Sequence, residues 1–252
     1  MREPLAVLSD IHGNIRALDA VLDEIARRGI RRTVNLGDSL YGPFDPRPAA
    51  DRLMTLGIPT VSGNEDRILQ TASTGSRTAG RPPARTAEFT RQQLEPRHFS
   101  WLASLPLTAV VDGAFLCHGT PSDDTTYLLS SVLGGSLALR PEAEVDRLTA
   151  SVAERVILCG HDHTPRLAAC GGKLIVNPGS VGCPAYVDDV PEEHVVENGS
   201  PDARFAIVCP RVGAAATVEL ISVPYDAAAA SDEAYSSGFA DWARWIASGR
   251  AE

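Results

Sequence analysis

The feature that most constrains the fold is a short apolar run near the start of the chain that ends abruptly in polar residues. Residues 5–8 (LAVL) are typical of a buried parallel strand, and residues 9–14 (SDIHGN) follow at once. In α/β proteins the functional side chains lie just past the carboxyl ends of such strands. In extended backbone Asp10 and His12 project to the same side, where a carboxylate and an imidazole can share a metal ion. For this stretch alone, the alternative is a turn with a helix-capping Asp10 and a solvated His12.

The same pattern recurs in the next two units of the chain. Residues 33–36 predict a second strand that ends in Gly37-Asp38, and residues 58–61 predict a third that ends in GNED at 63–66. Apolar residues at helical spacing predict helices over 14–29 and 49–56, the first with Asn14 as N-cap. Chance placement does not explain three successive strands that each end in a polar cluster with a turn-permitting glycine.

Two later strands end in histidine. Residues 108–111 and 114–117 predict a hairpin whose second strand ends in His118, and residues 155–159 predict a strand that runs into GHDH at 160–163. Five strand ends thereby supply seven side chains of the kind that bind metals, four of them histidines: Asp10, His12, Asp38, Asn64, His118, His161 and His163. Seven ligands are too many for one tetrahedral site and suit two metal ions that share a carboxylate. Two ions held roughly 3.5–4 Å apart are the standard arrangement for hydrolysing phosphate esters.

Composition limits the classes of protein that the chain can belong to. Its 252 residues suit a single domain over 1–252, and the net charge of −9 argues against general nucleic-acid binding or binding to anionic membranes. No apolar run reaches the roughly 18 residues of a membrane span, and the N-terminus shows no signal peptide. The five cysteines are odd in number and contain no Cys-x-x-Cys, which predicts a reduced, cytoplasmic protein without a structural zinc site.

The rest of the chain is predicted from local patterns. We expect a flexible loop over 71–85, and two helices over 86–94 and 97–105 that form a helical insert at about 75–105. A long loop is predicted over 120–135, a helix over 141–152, and a hairpin over 166–176. An exposed acidic loop is predicted over 184–202, late strands over 205–208 and 217–223, and a helical C-terminal tail over about 224–252.

The ordered motifs Asp10-x-His12, Gly37-Asp38, Gly63-Asn64, His118-Gly119 and Gly160-His161-x-His163 resemble those of the calcineurin-like metallophosphoesterases. The resemblance covers about residues 4–183, and residues 177–180 (NPGS) are similar to a segment of the small prokaryotic, phosphodiesterase-like branch. It implies an α/β fold, a four-layer α/β/β/α sandwich of two mixed β-sheets flanked by helices with the metals at one rim.

The resemblance also implies a mechanism and a set of ligands. One metal ion would take Asp10, His12, His163 and a bridging Asp38, and the other would take Asp38, Asn64, His118 and His161. The ions would be manganese, iron or zinc, and a hydroxide bridging them would attack phosphorus, with Asp38, Asn64 and His118 as catalytic residues. The substrate would be a phosphodiester, or a nucleotide or other small phosphorylated molecule. The oligomeric state stays open.

Glu65 departs from the family pattern, in which proficient members carry a phosphate-binding histidine after the asparagine. Glu65 acts as an acid if burial raises its pKa, or it is a surface residue in the first turn of a helix. Because the histidine is absent and an ionised glutamate would repel phosphate rather than hold it, we expect a preference for good leaving groups, such as nucleotide phosphoanhydrides or activated diesters.

Other polar side chains near the motifs have simpler interpretations. Asp66 either hydrogen-bonds a metal-binding histidine or caps a helix, and Asp162 is expected to face solvent or a salt bridge. We expect His98 and His194 to be solvated. Three tyrosines either pack at the rim or stack on a base: Tyr41, Tyr127 and Tyr186.

Two further functions use the same fold. One is a non-catalytic interaction module, for which the phosphoesterase-like retromer subunit is the precedent and Glu65 the supporting feature. The other is a protein Ser/Thr phosphatase, because calcineurin itself shares these motifs.

Overall fold

The computed structural model describes residues 3–71, 82–209 and 216–251. Strands in these ranges are β1 (Leu5–Leu8), β2 (Arg32–Asn35), β3 (Thr108–Val111), β4 (Ala114–Cys117), β5 (Ser130–Leu133), β6 (Ser136–Leu139), β7 (Val156–Leu158), β8 (Arg166–Cys170), β9 (Lys173–Asn177), β10 (Ala185–Asp188), β11 (His194–Glu197), β12 (Ala203–Cys209) and β13 (Thr217–Val223). Helices are α1 (Ile15–Arg27), α2 (Arg47–Leu56), α3 (Asn64–Gln70), α4 (Pro82–Gln93), α5 (Pro96–Ala103), α6 (Glu142–Leu148), α7 (Ala227–Ser236) and α8 (Ala240–Ser248).

Two mixed sheets form the centre of the fold. In the first, the strand order is β13-β12-β1-β2, with β1 parallel to β2 and antiparallel to β12. In the second, the order is β3-β4-β7-β9-β8, and its three central strands are parallel. The carboxyl ends of parallel neighbours lie at one edge of a sheet, so the polar clusters that follow β1, β2, β4 and β7 can meet there.

The two sheets pack face to face, and helices cover their outer faces. Leu5 and Val7 of β1 lie in the apolar layer between the sheets together with Leu116 and Leu158 of the second sheet. Residues that alternate with these on β1 pack instead with Leu18 and other residues of α1, as expected from the two-residue period of a strand. On the far side, Val145 of α6 packs against β7 and β9. The predicted α/β/β/α sandwich is confirmed.

Helix α1 shows why the chain turns sharply after β1. The Asn14 side chain accepts a hydrogen bond from the backbone N–H of Ala17 (3.1 Å), which makes Asn14 the predicted N-cap. Its Nδ2 donates to the carbonyl of Gly182 and to the hydroxyl of Tyr225, both at 3.1 Å. The cap therefore also holds together segments that are far apart in sequence.

A third, four-stranded sheet was not predicted. Its order is β10-β11-β6-β5, so the predicted loops over 120–135 and 184–202 are wrong in part. Each of these strands has only four residues, and acidic residues flank the short apolar runs of β10 and β11, which hides the alternation in the sequence. This sheet lies beside the polar edge of the sandwich through Tyr186 of β10, whose ring contacts that of His163 at 4.6 Å.

Three smaller predictions also need correction. The expected strand over 58–61 is reduced to an isolated bridge between Thr60 and Asn35, next to Pro59, which has no N–H to donate. Residues 82–85, predicted as loop, begin α4, whereas the rest of that predicted loop over 72–81 lies outside the described residues. The helix over 141–152 is shorter than expected and ends at Leu148. Helices α4 and α5 lie in the predicted insert, and α7 and α8 lie in the predicted tail.

Within the described ranges, every helix is too short or too polar to cross a lipid bilayer.

Candidate metal centre

The strand ends that carry the predicted ligands are joined by backbone hydrogen bonds. The N–H of His12 donates to the carbonyl of Asp38 (3.0 Å), and the N–H of Gly160 donates to the carbonyl of His118 (2.7 Å). The N–H of His161 donates to Oδ2 of Asp10 at 3.2 Å, which links the two sheets. The last of these bonds joins residues 151 apart in sequence, and together the three bring the strand ends to one edge of the sandwich.

The side chains gather in two groups of three at this edge. One group is Asp10, His12 and His163, and the other is Asp38, His118 and His161. Within each group the potential ligand atoms lie within 4.8 Å of one another, and all six residues are buried. Asn64, the seventh predicted residue, lines the same cavity as His12 and Asp38. The structure thus brings all seven predicted residues together.

Five of these residues have a backbone conformation that non-glycine residues rarely adopt. The φ angles are positive at Asp10 (56°), His12 (52°), Asp38 (52°), His161 (72°) and His163 (51°). The expectation that Asp10 and His12 converge in extended backbone is therefore wrong: they converge through left-handed turns. Such conformations cost on the order of 1–3 kcal/mol each and concentrate at functional sites.

Backbone carbonyls orient the imidazole rings. The Nδ1 atoms of His12 and His163 each lie 2.7 Å from a carbonyl oxygen, that of Tyr41 and that of Cys183. His118 is oriented in the same way by the carbonyl of Leu36 (2.8 Å). Because a carbonyl only accepts, Nδ1 carries the proton in these three rings and Nε2 is the atom available as a ligand. In His161 the roles are exchanged, since Nε2 donates to the carbonyl of Thr125 (2.9 Å).

In the first group, charge is shared between a carboxylate and one imidazole. Burial would raise the pKa of Asp10, but the neighbouring imidazoles, His163 first, lower it below its usual value. Burial would lower the pKa of His163, yet the Asp10 carboxylate, 3.3 Å away, raises it well above 6.5. Burial and the charge of His163 lower the pKa of His12 to about 4.

The second group repeats this distribution. Burial would lower the pKa of His118, but the charge of Asp38 and its contact with His118 Nε2 (3.1 Å) raise that pKa to about 10. Burial and then His118 lower the pKa of His161 to about 4, and the pKa of Asp38 is lowered despite its burial. Each group therefore contains a carboxylate and two imidazoles. One imidazole favours the neutral form, and the other favours the cationic form that pairs with the carboxylate.

The donor set fits metal ions that prefer nitrogen and oxygen ligands. Two imidazoles and one carboxylate in each group are ligands that zinc, manganese and iron accept. The side-chain oxygen Oδ1 of Asn64 is buried and makes no hydrogen bond within the described part of the chain. A buried amide oxygen without a donor is costly unless a cation or water satisfies it.

Asp66 and Gly63 fix the position of Asp38. The carboxylate of Asp66 accepts from the N–H groups of Asp38 (2.9 Å), Ser39 (3.0 Å) and Gly63 (3.1 Å), so it caps α3 and joins its start to the turn after β2, and it hydrogen-bonds no histidine among the described residues. Burial, and then Asp38, raise the pKa of Asp66 to about 7. A Cβ on Gly63 would overlap Oδ1 of Asp38. Glycine is thus required at position 63 because Asp38 approaches its Cα closely. Its φ of −92° is ordinary for any residue.

Asp162 is buried between the two histidines that flank it, so the expectation of solvent or a salt bridge is wrong. Its Oδ1 accepts from Nδ2 of Asn177 (2.7 Å) and the N–H of Thr164 (3.0 Å), and its Oδ2 accepts from the hydroxyl of Ser130. Burial raises the pKa of Asp162 to about 6. The side chain holds the His161–His163 turn against β5 and β9. Sequence reasoning missed this because the partners lie on strands far from the motif.

Glu65 lies in the first turn of α3, as one of its two interpretations required, but its side chain lines the cavity and is half-buried. Burial, and then the charge of Asp38, raise its pKa well above 4.5. Its Oε2 makes no hydrogen bond among the described residues, and its N–H donates to Asp38 Oδ1 (2.9 Å). The interpretation of Glu65 as a surface residue is therefore wrong.

The other two histidines are buried, which contradicts the expectation that they are solvated. His98 closes the N-terminus of α5 by accepting from the N–H of Glu95 (3.0 Å), and its Nε2 lies 3.0 Å from Asp51. His194 contacts the hydroxyl of Tyr127 (3.0 Å). Neither residue lines the cavity.

A cavity of 560 Å³ opens above the two groups. Its floor includes His12, Asp38, Asn64, His161 and His163. Its walls carry four aromatic side chains, Tyr41, Tyr186, Trp242 and Trp245. The tryptophans belong to α8, which sequence analysis predicted only as a packed helix. The third tyrosine, Tyr127, does not line the cavity and instead packs on His161 with ring centroids 4.8 Å apart.

Comparison with known proteins identifies the family of this site. The family model described as the calcineurin-like phosphoesterase superfamily domain matches residues 4–196. An uncharacterized protein of Methanocaldococcus jannaschii is 38% identical over 66 residues, which is 26% of this chain and 27% of that protein. The chain therefore aligns with only about a quarter of that relative's length.

Two crystal structures share the whole fold. A metallophosphoesterase from Sphaerobacter thermophilus superimposes with a TM-score of 0.75 at 22% identity, covering 98% of this chain and 100% of the other. A hypothetical protein from Pyrococcus horikoshii superimposes with a TM-score of 0.77 at 19% identity, covering 100% of both chains. At such identities the likeness establishes the fold.

Proposed function

The chain belongs to the calcineurin-like phosphoesterase superfamily, and on that premise we propose that it is a dinuclear-metal phosphoesterase that hydrolyses a phosphodiester or a nucleotide phosphate. The observation that carries the proposal is the pair of buried groups at one edge of the sandwich, each with a carboxylate and two imidazoles. A purely structural cluster has little need of two such groups at the floor of an open cavity.

In this proposal, one ion would be held by Asp10, His12 and His163. The other would be held by Asn64, His118 and His161, and Asp38 would contribute to both. Manganese, iron and zinc all suit these ligands. When bound, the ions supply Lewis-acid activation of water and neutralise charge on the phosphoryl oxygens.

The residues of the chain supply orientation and proton transfer. The carbonyl-anchored imidazoles hold their free nitrogens in place before substrate arrives, so little reorganisation accompanies the reaction. Glu65 lies beside Asn64 in the cavity, and burial and the nearby Asp38 raise its pKa, which favours the protonated form. We assign it the delivery of that proton to the leaving oxygen, which makes it a general acid.

The test is turnover of an aryl phosphodiester and an aryl monophosphate by manganese-loaded protein. Asp38→Asn removes the shared carboxylate while keeping its shape, and we expect at least a thousand-fold loss of kcat. The matched control is Asp232→Asn, an isosteric change at an exposed position of α7, which should retain the wild-type rate. Equal rates in wild type and Asp38→Asn would contradict the proposal.

A non-catalytic interaction module on the same fold makes the opposite prediction. Such a protein would bind no transition metal tightly and would cleave neither substrate. Activity on a panel of phosphopeptides would instead favour the Ser/Thr phosphatase. We further propose one domain over residues 1–252 and, from the reduced cysteines, a cytoplasmic location.

A further inference from the structure

The far wall of the cavity comes from a part of the chain outside the family match. That match ends at residue 196, whereas Trp242 and Trp245 belong to α8 (Ala240–Ser248). Both tryptophans are half-buried and line the cavity. The rings of Trp242 and His12 pack in a T-shaped arrangement with centroids 5.6 Å apart. This wall is therefore continuous with the candidate metal centre.

The aromatic rings form a continuous surface. Trp242 lies 5.6 Å from Trp245 and 6.3 Å from Tyr41 between ring centroids, with interplanar angles of 48° and 52°. Because neighbouring rings are inclined by these angles, a planar group can stack on one ring while the next ring contacts its edge. Bases stack on tryptophan in this way in single-stranded nucleic-acid sites.

The rim of the cavity is acidic. Four carboxyl side chains line it, from Asp188, Asp189, Glu193 and Asp241. Among the described residues that line the cavity, the one guanidinium is that of Arg244, which lies 3.3 Å from Asp241. Carboxylates at this position can accept hydrogen bonds from the N–H groups of a base, and they repel any phosphate beyond the one at the metal centre. A cavity of 560 Å³ is in the range that encloses a small organic ligand.

We propose that the wall formed by Tyr41, Trp242 and Trp245 binds the planar base of a substrate with a single phosphate group, a nucleoside monophosphate or a nucleoside phosphodiester, and that the acidic rim excludes polyphosphates. This inference rests on the proposed function and narrows its substrate class. In the reaction, the oxygen of water bonds to phosphorus, the bond from phosphorus to the leaving oxygen breaks, and that oxygen takes a proton. No reactant other than water is needed.

The first test compares two diesters that share a leaving group, on metal-loaded full-length protein. One is the p-nitrophenyl ester of thymidine 5′-monophosphate, and the other is methyl p-nitrophenyl phosphate, which has no base. We expect kcat/KM to favour the nucleoside ester at least 10-fold, and Trp242→Leu and Trp245→Leu each to lower this ratio about 10-fold. The matched control is Trp101→Phe in α5, outside the cavity, which should keep the wild-type ratio.

A second measurement does not depend on how the leucine variants fold. The chain has three tryptophans, so Trp101→Phe leaves Trp242 and Trp245 as the only sources of tryptophan fluorescence. Adenosine 5′-monophosphate should quench that fluorescence in the metal-loaded variant, and inorganic phosphate should quench it far less. Equal effects of the two compounds would overturn the stacking part of the proposal.

The rim is tested with thymidine 5′-diphosphate, for which we expect a kcat/KM at least 10-fold below that of the nucleoside ester. Glu193→Gln with Asp188→Asn should raise cleavage of the diphosphate several-fold. Equal cleavage of both substrates by wild type would overturn the exclusion of polyphosphates. Turnover of the methyl ester without any preference for the nucleoside would contradict this inference alone, whereas no turnover of either diester would contradict the proposed function.

Discussion

The Nε2 atoms of His12 and His163 lie 3.1 Å apart at the buried floor of the cavity. Carbonyl oxygens hold the proton of each ring on Nδ1, so two neutral rings would face each other with bare lone pairs. The contact is favourable only when a positive charge lies between them. A proton on His163 supplies that charge in the metal-free protein, and a metal ion can replace the proton.

Metal addition should therefore stabilise the folded protein. At a free metal concentration 100 times the Kd, binding contributes about 2.7 kcal/mol, which for a chain of this size corresponds to a rise in Tm of about 5–10 °C. Differential scanning fluorimetry of chelator-treated protein with and without Mn²⁺ measures the shift. Asp10→Asn should reduce it and Asp232→Asn should leave it intact; an undiminished shift in Asp10→Asn would argue against this site.

Gly63→Ala should cost both activity and stability. The new methyl group would overlap the Asp38 carboxylate and also lie 2.7 Å from the backbone nitrogen of Asp38, so both must shift, although the backbone at φ −92° accepts alanine. We expect at least a 100-fold loss of turnover and a loss of about 1–3 kcal/mol of stability. The matched control is Gly57→Ala, at φ 58° with open space around it, which should cost about 1–2 kcal/mol of stability and no activity. Equal turnover of Gly63→Ala and Gly57→Ala would contradict the role of Gly63 in positioning Asp38.

Local patterns in the sequence predict the candidate ligands at the strand ends, and the resemblance of these motifs to the phosphoesterase family predicts the sandwich. Strand β1 and the polar residues after it are adjacent in the chain, and glycine marks each sharp turn. The third sheet was missed because β10 and β11 owe their stability to neighbours on distant segments rather than to a clear alternation of their own. Asp162 and Trp242 were missed for the same reason, since their partners are remote in sequence.

Asp162→Ala should weaken both the fold and the metal centre. The change leaves the hydroxyl of Ser130, the amide of Asn177 and the N–H of Thr164 without this acceptor, at a cost of about 2–3 kcal/mol. We expect metal affinity to fall about 10–100-fold, because the turn that presents His161 and His163 loses its anchor. Isothermal titration with Mn²⁺ and urea denaturation measure the two effects. Asp162→Asn keeps an acceptor oxygen, so its metal affinity and free energy of unfolding should lie closer to wild type than those of Asp162→Ala. The reverse order would contradict an anchoring role for Asp162.

Glu65→His should broaden the range of leaving groups. A histidine here places a cationic phosphate-binding group beside Asn64, whereas the glutamic acid only donates its proton. We expect turnover of an alkyl monophosphate, a poor leaving group, to rise about 10-fold or more relative to an aryl phosphate. Glu65→Gln, of equal size but without a transferable proton, should lower turnover of both substrates. If neither variant changes the alkyl-to-aryl ratio, the assignment of Glu65 to leaving-group protonation is wrong.

The most direct test of the central claim is the metal content of the purified protein, measured by elemental analysis after reconstitution and removal of free metal. The two buried groups predict two transition-metal ions per chain in wild type, and fewer than two in Asp38→Asn, because Asp38 is assigned to both ions. A wild-type protein that retains no tightly bound metal, or an Asp38→Asn variant that retains the full complement, would contradict the account.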